Sequence, residues 1–120
     1  MARTIISWVL VVLLALAFLA SAAGKLSGVA TPLFLHWGYP VWFAKVIGVL
    51  ELVGAVGLLI PKTTRYAVLG LTVIMFGAAY THLASHEGLQ ILRPAIFLAV
   101  MWLVWWLRQP SVSAQTSAAA

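Results

Sequence analysis

An all-α membrane protein, folded as a bundle of four transmembrane helices, is the architecture this 120-residue sequence predicts. Three observations carry the prediction. Hydrophobic residues make up 64% of the chain and charged residues only 8%, where soluble domains carry roughly a quarter charged residues. Mean hydropathy is +1.10. The seven Lys and Arg residues stand singly between apolar runs and form no patch. The net charge of +5 therefore reads as a set of topology signals, and nucleic acid is not an expected partner. The lipid bilayer is. One single domain over residues 1–108 accounts for the length.

The spans follow in order. A helix crossing the hydrocarbon layer needs roughly 20 mostly apolar residues, and residues 5–23, 41–60 and 66–84 meet that requirement. The first run, with Arg3 before it and Ala20-Ser21-Ala22 near its end, has the outline of a secretory signal. Its unbroken reach to Ala23 suits a retained span better. Residues 25–40 form a long, Gly- and Pro-punctuated, aromatic connection, whereas residues 61–65 make a tight hairpin. The fourth span is placed at 89–107, with Pro94 either a first-turn residue or a kink. Residues 109–120, rich in Ser, Ala and Gln, are expected to be a disordered tail.

Orientation follows the Lys and Arg count. Arg3, Lys62, Arg65 and Arg108 fall on one side, and Lys25, Lys45 and Arg93 with Glu87 on the other, which favours both termini on the cytoplasmic side. Trp8, Tyr66, Trp102, Trp105 and Trp106 then belong to an inner aromatic belt, and Trp37, Tyr39, Trp42 and Tyr80 to an outer one, all as membrane anchors. Lys45 is expected to snorkel outward, and His36 and His86 to face water.

Chemistry narrows to few residues. A titratable side chain at the centre of a span costs roughly 2.5–3.5 kcal/mol on insertion scales, and Glu51 sits about 15 Å deep in the second span. Gly48, Glu51, Ala55 and Leu58 share one stripe, flanked by Gly54 and Gly57, so neighbouring helices can close around the carboxyl. Gly70, Gly77, Ala78 and Thr81 give the third span a comparable small face, with His82 one turn beyond Ala78. Lys25, Glu51, His82 and Arg93 are accordingly the expected lining of one polar pocket open to the outer side. Glu51 serves equally well as an ion-paired group that fixes helix register. His82 and His86 stand at i, i+4 without a placed third ligand, so no metal is assigned. The chain has no cysteine, no nucleotide loop, no Gly-x-Ser-x-Gly and no carboxylate pair for hydrolysis. No catalytic residue is named.

Three segments resemble a known family: Ala-Gly-Lys-Leu at 23–26, Ile-Gly-Val-Leu-Glu-Leu-Val-Gly-Ala-Val-Gly-Leu-Leu-Ile-Pro at 47–61, and Gly-Ala-Ala-Tyr-Thr-His-Leu at 77–83. Over about residues 5–107 the chain resembles the short, DoxX-like branch of the DoxX family. That resemblance implies a four-helix bacterial inner-membrane protein with Lys25, Glu51 and His82 as recurrent polar positions. It also implies association with quinol oxidase or thiosulfate:quinone oxidoreductase systems. The absence of cysteine and of a bis-histidine haem pair sets this chain apart from a redox subunit that is catalytic by itself.

Three functions follow as expectations. The first is a non-catalytic subunit or scaffold of a membrane redox or stress-response complex, with a membrane or redox protein or a second copy as partner, and a quinone-like lipid in the pocket. No cofactor is otherwise assigned. The second is a small proton-coupled transporter using Glu51. The third is an enzyme on a lipid-soluble substrate held between Glu51 and His82, whose depths differ by roughly 9 Å.

Overall fold

In the computed structural model residues 2–109 are described, and among them the chain is helical, with no strand. Helix α1 spans Ala2–Leu26, α2 Thr31–His36, α3 Val41–Leu59, α4 Thr64–Ala84 and α5 Leu92–Arg108. A 3-10 turn, Gly88–Ile91, leads directly into α5. Helices α1, α3 and α4, and α5 together with its 3-10 turn, are long and apolar enough to cross a membrane. The chain is a multi-pass membrane protein. The expected tail lies outside the described residues apart from Gln109.

Local chemistry sets the boundaries. Helix α1 runs three residues past Ala23, so Lys25 stands in its last turn, where a cation meets the negative end of the helix dipole. The connection expected over 25–40 contains α2, entered through Pro32 in its first turn. Pro94 is the third residue of α5, so the first-turn alternative is the one adopted. Its missing N–H lies where an intrahelical acceptor is lacking anyway.

The four long helices pack in a ring, α1 against α3, α3 against α4, α4 against α5 and α5 back against α1. The start of α1, the end of α5 and the α3–α4 hairpin share one end, because Arg3 donates to Leu107 O at 2.9 Å and Arg108 Nη1 to Leu58 O at 2.9 Å. We call this the terminal end. The core between the helices holds Val11, Leu14, Phe18, Leu58, Val68, Leu71, Met101 and Val104, with Phe18 and Phe97 stacked at 5.0 Å.

The buried face of α3 is Ala44, Gly48, Glu51, Ala55 and Leu58. A Cβ at Gly48 would stand 3.0 Å from Lys25 Cβ, and one at Gly54 would stand 2.7 Å from Leu71 Cγ. Small side chains here let α1 and α4 close on α3 by dispersion contact, which replaces the hydrophobic effect in lipid. The expected small face of α4 is corrected. Its buried residues are Thr64, Val68, Leu71, Thr72, Met75 and Thr81, while Gly70 looks onto open space. Larger apolar groups fill the α4 seam because α3 already supplies the small partners.

Candidate functional site

Opposite the terminal end, the helices part around a cavity of about 580 Å³, within the range typical of small-molecule sites. Lys25, Glu51, His82 and Arg93 all line it. They enter from α1, α3, α4 and α5 respectively, so each long helix contributes one of the four.

Lys25 Nζ lies 2.7 Å from Glu51 Oε1 and donates to Ser21 Oγ at 2.6 Å. Glu51 is 1% exposed. Gly48, one turn before Glu51, is what lets the Lys25 backbone come this close to α3. The ammonium reaches Oε1 at ion-pair distance but off hydrogen-bond alignment, leaving Oε1 enclosed with no hydrogen-bond partner among the described residues. The pair compensates two charges whose separate burial would cost several kcal/mol each.

His82 is held by a different carboxylate. Its Nδ1 lies 3.0 Å from Glu87 Oε1, and Trp37 Nε1 donates to the same oxygen at 3.0 Å. The indole meets the imidazole edge-on at 5.3 Å and 90°. Backbone geometry aims Glu87: beyond α4, His86 takes φ +58°, the Glu87 N–H donates to His82 O at 2.8 Å, and the His86 N–H donates to Leu83 O at 3.3 Å. This is a Schellman ending with histidine in the left-handed position that glycine usually takes. It turns Glu87 back over the last turn of α4. The hydrogen bond from His82 is the main cause holding the Glu87 carboxyl below its ordinary value. The Trp37 bond adds to this, and partial desolvation opposes it.

Sequence reasoning treated Glu87 as a loop charge and so missed this latch. The available signal was an acid five residues after a histidine at a helix end, and Gly88 stands two positions too late to announce the turn. Trp37 and Tyr39, expected as membrane anchors, both line the cavity instead. Tyr39 OH and Thr81 Oγ1 are 2.6 Å apart, and Thr81 in turn donates to Gly77 O at 2.8 Å, so the tyrosine is the donor to Thr81. Tyr39 stacks on Phe43 at 4.7 Å, and Phe34 lies 5.3 Å from Trp37. Together these rings form an aromatic wall.

Lys45 is exposed, and its ammonium donates to Leu26 O at 3.1 Å at the end of α1, within reach because the α1–α3 seam is close. Arg93 is exposed at the mouth and makes no hydrogen bond or ion pair among the described residues. His36 and His86 are exposed, and no group of three metal-ligating side chains occurs among the described residues.

The cavity thus combines aromatic and aliphatic walls with a deep ion pair and a latched histidine. Such a space suits a flat, ring-bearing amphipathic molecule with polar atoms at its head. Comparison with known proteins agrees with the architecture. The family model described as the DoxX-like family matches residues 9–104. "Uncharacterized protein YdgD" of Bacillus subtilis (strain 168) is 38% identical over 52 residues, covering 40% of this chain and 46% of its own length. The match therefore spans less than half of that relative. No solved structure matches.

Proposed function

Because this chain belongs to the DoxX-like family, we propose that it is a non-catalytic subunit or scaffold of a membrane redox or stress-response complex and holds a quinone-like lipid in its cavity. We place it in the bacterial inner membrane with both termini cytoplasmic. One observation carries the ligand reading: the cavity brings Lys25, Glu51, His82 and Arg93 to walls made of Phe34, Trp37, Tyr39 and Phe43. Carbonyl or hydroxyl oxygens of a ring head find donors and acceptors there. The isoprenoid or alkyl part finds apolar surface.

The geometry favours holding a molecule over transforming it. Glu51 is engaged by Lys25, so its carboxylate does not stand as a free acid or base directed at a reacting group. The same ion pair occupies the carboxylate that a proton-coupled cation transporter would need vacant. Four cations at the terminal end against three on the other side support the orientation.

Capture from native membranes in mild detergent tests this reading. A protein partner and an extractable quinone should co-purify with the chain. A bundle that emerges alone, with bulk phospholipid and no quinone, contradicts it.

A further inference from the structure

The terminal end holds a second recess, of about 370 Å³, lined by Arg3, Thr4, Ser7, Trp8 and Arg108 among others. It lies at the far end of the bundle from the cavity, and the reading that follows stands independently of that site. We propose that this recess binds a phosphate-class anion, either the phosphate of a phospholipid headgroup or a free phosphate.

Charge makes the case. The sequence has two carboxylate side chains, Glu51 midway along α3 and Glu87 beyond the far end of α4, and they are paired with Lys25 and His82. Both guanidiniums of the recess are fixed by neutral groups alone. Arg108 Nη1 donates to Leu58 O at 2.9 Å and to Thr64 Oγ1 at 2.8 Å, and its Cζ lies 4.5 Å from the centre of the Trp8 ring. Arg108 Nη2 is enclosed with no hydrogen-bond partner among the described residues. Arg3 donates through Nε to Leu107 O at 2.9 Å and through Nη2 to Trp106 O at 2.6 Å and Gln109 O at 3.1 Å.

Two like charges are therefore held around one hollow, partly out of water, with no counter-charge among the described residues. Carbonyl oxygens offset only part of that cost. An anion seated between them supplies the missing charge, and the planar, preoriented guanidinium fork suits phosphate oxygens better than a lysine would. The recess opens where the helices end, at the depth of lipid phosphates if the four long helices cross the bilayer.

Native mass spectrometry of the purified full chain with added phosphatidylglycerol tests the site. The wild type should retain this lipid, and Arg3→Gln should weaken retention about tenfold or more, as expected for a lost charge-assisted hydrogen bond. Arg3→Lys, which keeps the charge, should recover part of it and separates charge from disruption of α5. Lys62→Gln removes a cation at the same end but outside the recess and should leave retention unchanged. Inorganic phosphate that displaces the lipid identifies free phosphate as an occupant. Phosphate without effect assigns the site to headgroups. Retention by Arg3→Gln equal to wild type, an equal loss in Lys62→Gln, or equal retention of neutral diacylglycerol overturns the proposal.

Discussion

Lys25 Nζ and Glu51 Oε1, 2.7 Å apart, join the last turn of α1 to the middle of α3 in a part of the bundle where Glu51 is almost wholly enclosed. Removing one partner should expose the asymmetry of such a pair. Glu51→Ala is expected to destabilise the bundle by about 1–3 kcal/mol, because it leaves the part-buried Lys25 ammonium without its counter-charge. Glu51→Gln should cost less, since it keeps shape and an acceptor. Thermal unfolding in detergent of both variants, with Lys25→Met and the double variant Lys25→Met/Glu51→Gln, closes the cycle. A coupling energy of zero would show that the two groups do not act as a pair.

The close approach of helices at glycine gives a second test. Gly54→Ala places a Cβ 2.7 Å from Leu71 Cγ, so the α3–α4 seam must open, at a cost of about 1–3 kcal/mol. Gly70→Ala adds its methyl to open space. It should be neutral or stabilising by about 0.5–1 kcal/mol through the lower backbone entropy of alanine. Equal effects of the two substitutions would mean that Gly54 does not mark a packed seam.

The Trp37–Glu87–His82 latch predicts a particular pH dependence. The Glu87 carboxyl is held below its ordinary value, chiefly by the His82 hydrogen bond. Its contribution is therefore fully present above the usual carboxylate range, about 4.3, and is lost as pH falls through the lowered folded-state value. Glu87→Ala should lower the melting temperature at neutral pH, and the gap to wild type should close in stronger acid. A gap that is constant with pH would detach the latch from Glu87 ionisation.

Orientation is read by reporter fusions. A reporter at Thr63 should report the cytoplasm, and one at Ser27 the external side. Reversal at both positions would invert the bundle while leaving its packing unchanged.

Much of the scaffold was legible because lipid imposes its own arithmetic: apolar runs near 20 residues admit few alternatives. The stripe of Gly48, Glu51, Ala55 and Leu58 could be read from helical period alone, and it is the buried face of α3. Lys25, His82 and Arg93 could be placed together by their shared outer level, and Glu51, roughly 9 Å deeper than His82, by the small-residue stripe that turns it inward. What stayed hidden depends on turns without helical period. The left-handed His86 that redirects Glu87 lacks the usual glycine signal. Trp37 and Tyr39 were read as anchors because aromatic residues near a boundary carry that prior, and α2, which folds them inward, is only six residues long. On α4 the count of small residues misled, since Gly70 lies outside the seam that Leu71 and Met75 fill.

The central claim, that the cavity between Lys25, Glu51 and His82 holds a quinone-like molecule, is tested most directly by calorimetric titration of a short-chain quinone into the purified protein in detergent. The comparison is with Ala78→Phe, which fills the cavity from the α4 wall without removing a polar group. We predict saturable one-to-one binding to wild type. In Ala78→Phe, folded to the same melting temperature, affinity should fall about tenfold or more, the equivalent of about 1.4 kcal/mol. Binding to Ala78→Phe as tight as to wild type, or no saturable binding to either, would contradict the assignment.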